Sequence, residues 1–160
     1  MCGIVGITSN KEVTTRIINS LKKLEYRGYD SAGIATLEDN FINEVKCEGR
    51  VEMLEKNISK INLKGNIGIG HVRWATHGKP SSVNAHPHSS DKVSVVHNGI
   101  IENSTILKKI LEKKGYKFKS QTDTEVIVHL VTDYLKKNNL KNTIIKVLKK
   151  LHGSFALGII

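Results

Sequence analysis

A cysteine at position 2, directly behind the initiator methionine, can act as nucleophile and base in one residue. A small second residue lets Met1 be removed, which leaves the Cys2 thiol beside a free α-amine. Amines of that kind and thiols titrate within about one pH unit of each other, so near neutrality the amine can take the thiol's proton. A buried, inert cysteine is the competing reading. Arg73-Trp74-Ala75-Thr76-His77-Gly78 sets a guanidinium beside hydroxyl and imidazole donors, a combination suited to a bidentate carboxylate. A structural salt bridge would use the same arginine. Asn98-Gly99 offers a side-chain amide and a glycine N–H, which together can form an oxyanion hole or mark a plain turn. Asp123 can meet a cation, or serve the dipole of a helix that begins there.

Other chemistries fail on spacing. Gly68-x-Gly70-x-x-Arg73 lacks the third glycine of a dinucleotide fingerprint, and no lysine follows a glycine-rich turn as a phosphate loop requires. Tyr29 stands where a Gly-x-Ser-x-Gly elbow around Ser31 needs glycine. His86-Pro87-His88, with His71, His77 and His97, has neither a His-Glu-x-x-His nor a paired Cys-x-x-Cys, so no metal is expected. Cys2 and Cys47 are too few for a disulfide framework and suit a reducing compartment, with Cys47 read as core.

Positioning these groups needs a scaffold, and the pattern supplies one. Gly3 to Thr8 reads as a buried strand. Asn10 then opens a helix that puts Val13, Ile17, Leu21 and Leu24 on one face. Strands at Ser31–Leu37 and Phe41–Cys47 flank Asp39-Asn40, a hairpin turn. A short helix over Val51–Ile61 leads to a strand, Ile67–Arg73, whose Gly68 and Gly70 imply close backbone approach by another element. From Ala75 to Asp91 the chain is loop-like and dense in polar chemistry. Val93–His97 is the next strand, ending at Asn98-Gly99. Asn103 is expected to cap a helix bearing Leu107, Ile110 and Leu111. Thr122-Asp123-Thr124-Glu125 matches a capping box before a helix through Tyr134. A last helix, Asn142–Leu151, precedes an apolar run to Ile160.

The 160 residues make one domain, and 39% apolar content fills a core without staples. No apolar run approaches ~18 residues, so no membrane span is expected, and the N-terminus lacks a basic leader. The chain is expected to be cytoplasmic. The net charge of +10 raises the question of nucleic acid. Yet between Lys108 and Lys150 twelve lysines face four acids, in helical territory, and the whole chain has four arginines and 5% aromatics. Base reading and strand stacking want arginine and aromatics, so the lysines read as a solvated face and no nucleic-acid partner is expected.

Six segments in order, Cys2-Gly3-Ile4-Val5-Gly6, Glu25-Tyr26-Arg27-Gly28-Tyr29-Asp30-Ser31-Ala32-Gly33, Arg73 to Gly78, Asn84-Ala85-His86-Pro87-His88, His97 to Asn103 and Thr122 to Glu125, resemble the class II glutamine amidotransferases. The tyrosines flanking Arg27-Gly28 resemble the branch that aminates fructose 6-phosphate rather than the amidophosphoribosyltransferase branch. The resemblance implies an α+β fold of the N-terminal-nucleophile hydrolase type, a four-layer α/β/β/α sandwich of antiparallel sheets. It implies that residues 1–160 are the glutaminase domain, C-terminally incomplete, without the sugar-isomerase domains that would hold fructose 6-phosphate. Carried over position by position, it makes Cys2 the nucleophile toward L-glutamine and Asn98 and Gly99 the oxyanion donors. Arg73, Thr76 and His77 would take the α-carboxylate, Asp123 with Gly99 the α-ammonium, and Trp74 would belong to a mobile lid. Arg27 would sit near the nucleophile without an assigned role. No cofactor is implied, and the parent enzyme would be a homo-oligomer. A truncated chain that at most binds glutamine is the alternative expectation.

Overall fold

The computed structural model describes residues 2–75 and 78–160. The first strand, β1 (Gly3–Thr8), is followed by helix α1 (Thr14–Leu24) and a 3-10 turn at Glu25–Arg27. The helix starts later than Asn10. The Lys11 N–H goes to the Ser9 hydroxyl and the Val13 N–H to the Gly65 carbonyl, which makes a turn tied to the neighbouring chain before helical bonding begins. Strands β2 (Ser31–Glu38) and β3 (Phe41–Glu48) form the expected hairpin, with Asp39 and Asn40 both at positive φ, 48° and 67°. Two left-handed residues in a two-residue loop match the right-handed twist of the flanking strands. Helix α2 (Val51–Ile58) ends three residues short of Ile61 and takes its first N–H bond from outside, Val51 N–H to the Glu25 carboxylate at 2.8 Å.

Strand β4 (Ile67–Arg73) lies between β1 and β2, so the first sheet runs β1-β4-β2-β3, with all pairs antiparallel. The two-residue period of a strand divides β4 between two tasks. Gly68, Gly70 and Val72 face α1. A β-carbon on Gly70 would stand 2.6 Å from Ile17 Cγ2, which explains why two glycines occupy this central strand. Ile69, His71 and Arg73 face the opposite way. On the α1 side Val13, Ile17, Leu21, Ile34, Val51 and Leu54 are fully buried, each worth roughly 1.5–3 kcal/mol of burial.

The second sheet runs β5 (His88–Ser89), β6 (Ser94–Ile101), β7 (Gly153–Ile159), also antiparallel. Helices α3 (Ser104–Lys113), α4 (Glu125–Leu135) and α5 (Leu140–Leu148) cover its outer face. Leu111, Ile127, Val131 and Val147 pack there with Val95 and Ile101. Between the sheets Ala35, Ile69 and Val96 form a small apolar cluster with Ile4, Ile42 and Ile160 against it. The result is four layers, helices on two face-to-face antiparallel sheets, as expected for the α+β class. No helix among the described residues is long and apolar enough to cross a membrane.

Four further local expectations are corrected. β6 does not stop at Asn98-Gly99 but continues to Ile101. Gly99, at φ 124°, is pressed against the Ser154 carbonyl of β7, where a β-carbon would collide with backbone. Asn103 stands at the N-cap position of α3, its carbonyl accepting from the Leu107 N–H, but its side chain does not cap the helix. Its side chain instead accepts from the His152 N–H and donates to the Lys150 carbonyl, fixing the start of β7. The Thr122–Glu125 capping box does not form, because α4 begins at Glu125 and the hydroxyls and carboxylates of the quartet go to distant partners. The last helix spans Leu140–Leu148 rather than Asn142–Leu151, opened by Asn139 accepting from the Asn142 N–H.

Candidate functional site

Cys2 sits at the head of β1. The pairing of Gly3 with Val72 brings it beside the end of β4, where the Trp74 N–H meets the Cys2 sulfur at 3.2 Å and the thiol reaches the Trp74 carbonyl at 3.5 Å. Two side chains hold its backbone carbonyl. Arg27 Nε donates at 3.0 Å from the 3-10 turn, and Asn98 Nδ2 donates at 3.2 Å from β6. The Arg27-Gly28 pair thereby acquires a physical role that spacing alone did not show. Gly28 is needed beside it, since a β-carbon there would lie 2.6 Å from the Arg73 backbone carbon.

Arg73 ends β4 on the face toward the second sheet and is 4% exposed. Its Nη2 donates to the Gly78 carbonyl at 3.4 Å. Burial lowers the guanidinium's pKa from its usual value, opposed by the negative charge that Cys2, Asp30 and Asp123 can carry. Asp30 also accepts from the Ala75 N–H at 2.8 Å, fixing the chain just past Trp74. The Trp74 ring is 43% exposed and meets Tyr29 edge-on at 5.7 Å. Thr76 and His77, the other expected carboxylate contacts, lie outside the described residues, as does Met1.

Asp123 reaches the site from the turn before α4. One carboxylate oxygen accepts from the Ile101 N–H at 2.7 Å, and the other stands 3.9 Å from His97 Nδ1. Cys2, Arg73, Trp74, Gly99 and Asp123 line one cavity with His86, His97, Thr122 and Thr124. The nucleophile, the cation, the anion and Gly99 expected from sequence are therefore brought together, with Asn98 adjoining through the Cys2 carbonyl.

A seam of imidazoles beneath this cavity escaped the sequence reading, which weighed these histidines only as metal ligands. His86 Nε2 and His97 Nδ1 both contact the Thr124 hydroxyl, at 2.8 and 2.9 Å, and His88 Nε2 contacts Thr122 at 3.0 Å. His71 Nε2 lies 2.9 Å from Asn98 Oδ1 and 3.1 Å from the His97 carbonyl, with its ring stacked on His86 at 4.3 Å. Burial pushes His71 down to about 4 and His88 to about 3. It lowers His86 and His97 as well, so these rings are neutral at pH 7. The available signal was the strand period, since His71 is two residues from Arg73 and must share its face. Glu125, behind the seam, is the opposite case. Burial raises its pKa, but the His129 ring 3.5 Å away and hydrogen bonds from the Lys119 and Ser120 N–H groups and the Ser120 hydroxyl outweigh that and hold it at about 2.

Residues 71–160 match the family model of a glutamine amidotransferase domain. The chain is 56% identical over 162 aligned residues to the glutamine–fructose-6-phosphate aminotransferase (isomerizing) of Clostridium acetobutylicum, and 53% identical over 161 to that of Bradyrhizobium diazoefficiens. Both alignments cover 100% of this chain and 26% of the relative, so the chain spans about a quarter of their length. The solved structure of glutamine phosphoribosylpyrophosphate amidotransferase from B. subtilis superposes with a TM-score of 0.83 at 31% identity, covering 100% of this chain and 35% of that one. With helices on two stacked antiparallel sheets, and more than half its length matched by the family model, this chain belongs to the glutamine amidotransferases, on the N-terminal-nucleophile hydrolase fold.

Proposed function

We propose that the chain hydrolyses the side-chain amide of L-glutamine to glutamate and ammonia through a Cys2 thioester. In this reading Met1 is removed, and the freed α-amine takes the thiol proton as sulfur attacks the amide carbon. The oxyanion so formed is met by the Asn98 amide and the Gly99 N–H. The amine returns its proton to the leaving nitrogen, ammonia departs, and water cleaves the γ-glutamyl thioester to restore the thiol. The observation that carries the reading is one cavity lined by Cys2, Arg73, Gly99 and Asp123. A free amino acid is a zwitterion, and a site that holds it needs a cation and an anion at fixed separation from the reacting group. Arg73, with Thr76 and His77 just after it in sequence, serves the α-carboxylate. The Asp123 oxygen not committed to the Ile101 N–H serves the α-ammonium, with Gly99. Trp74, half exposed above Cys2, belongs to the lid that closes over the bound amino acid.

The relatives' name points to fructose 6-phosphate as acceptor of the ammonia. It would be bound by sugar-isomerase domains outside these 160 residues, in a cytoplasmic homo-oligomer where Cys2 and Cys47 persist as thiols. The test is glutamate release from glutamine by the purified chain, with Cys2→Ala as control and intact mass measured on the same sample. Release that falls to background in Cys2→Ala is the expected outcome. No release from a chain whose mass shows a free Cys2 terminus overturns the reading.

A further inference from the structure

An amide serves an oxyanion only if its nitrogen faces the reacting centre, and Asn98 can be turned either way by rotating about one bond. Two independent contacts decide the matter. On one side lies the Cys2 carbonyl, which only accepts, 3.2 Å from Nδ2. On the other lies His71 Nε2, 2.9 Å from Oδ1. That ring nitrogen is also 3.1 Å from the His97 carbonyl, a second group that only accepts, so Nε2 must carry the proton. A nitrogen bearing a proton repels the NH₂ end of Asn98 and attracts its oxygen. His71 is 0% exposed, and its Nδ1 has no hydrogen-bond partner among the described residues, which suits a bare lone pair far better than a second buried N–H.

We propose that His71 is the positioning residue of the oxyanion site, its Nε2–H fixing which end of the Asn98 amide faces Cys2. The inference rests on the glutaminase reading above for its catalytic meaning, but the tautomer and the Asn98 orientation do not. Glutamine places an amide N–H near the reach of histidine Nε2, whereas leucine fills the space without a donor. His71→Leu should therefore lower kcat for glutamine hydrolysis about 10- to 100-fold, less than the roughly 100- to 1,000-fold lost when a donor is removed outright, because the Asn98 amide itself remains, with KM changed less than about threefold. His71→Gln should recover most of the loss. Alkylation of Cys2 by iodoacetamide develops no oxyanion, so its rate should stay within about twofold of the parent in both variants, which a collapsed site would not allow.

The activity-independent arm is long-range ¹H–¹⁵N correlation of the histidine rings and of the Asn98 side-chain amide in the unmodified chain and both variants. The expected result is His71 as the Nε2–H tautomer, with one protected Asn98 amide signal set in the parent and His71→Gln and averaged signals in His71→Leu. An Nδ1–H tautomer overturns the proposal, as does a His71→Leu variant with parental kcat, or a His71→Gln variant no better than leucine. If the unmodified chain fails to hydrolyse glutamine, the functional reading falls. The spectra still decide whether His71 sets the Asn98 amide.

Discussion

Arg73 is almost wholly enclosed, and it lines the same cavity as Cys2 and Asp123. Losing one partner of a desolvated, hydrogen-bonded charge pair costs ~2–5 kcal/mol, much of it the penalty on the charge left behind. Arg73→Ala is therefore expected to raise KM for glutamine by roughly 100-fold while kcat falls less, checked by steady-state kinetics. Unchanged glutamine kinetics would remove Arg73 from the substrate site. Residues of this kind were legible in the sequence because their chemistry is scarce: a cysteine at position 2, an arginine among hydroxyl and imidazole donors, an Asn-Gly pair. His71 and Thr124 were not. A buried histidine in a core and one that orients a neighbouring amide look alike until the distance to that amide is known. Arg27 stood between these cases, since its neighbours marked it but only the 3.0 Å contact to the Cys2 carbonyl gave it work.

Among the elements, β4 and α1 set the tightest constraint, because the strand that delivers His71 and Arg73 to one face has almost no side chain on the other. Gly70→Val would drive new methyls into Ile17 and Leu21. Overpacking of that kind costs about 1–3 kcal/mol, or roughly 3–10 °C in Tm for a chain of this size. Ile17→Ala alone should cost about 2–5 kcal/mol by leaving a cavity. Combined, the two losses should be clearly smaller than their sum, since each relieves the other. Denaturant unfolding of the three variants measures this, and strict additivity would show that helix and strand are not in the close contact described. Gly68 and Gly70 announced that approach, and the Asp39-Asn40 turn announced the hairpin, because both follow from local backbone geometry. The Thr122–Glu125 box misled for the converse reason. Its pattern is local, but Thr122, Asp123, Thr124 and Glu125 are claimed by His88, Ile101, the His86–His97 pair and the Lys119–Ser120 turn, none of which the spacing encodes. The same holds for Asn98-Gly99, a turn by pattern and a strand interior by virtue of β7 lying against it.

For the molecule as a whole, the enclosed imidazoles make stability depend on pH in one direction. An unfolded histidine takes up its proton near pH 6.5. His71 and His88 refuse it in the folded chain until about 4 and about 3. Between those values the unfolded chain binds more protons, so stability is full above about pH 7 and declines as pH falls, by up to about 1.4 kcal/mol per unit for each such ring. Glu125, held at about 2 against an ordinary value near 4.5, adds its own loss below that point. Urea unfolding at pH 7.5, 6 and 5 should give a steadily falling free energy. A rise on acidification would mean that these rings are charged in the fold. The seam also carries a constraint of a different sort. Thr124 touches both His86 and His97, yet a hydroxyl has a single hydrogen to give. If it gives that hydrogen to His86, His97 must offer its own in return, and if it gives to His97 the roles exchange. Because the contact is through Nε2 on His86 and Nδ1 on His97, either choice leaves both rings in the same tautomer, Nδ1–H or Nε2–H, and reversing one obliges the other to reverse with it.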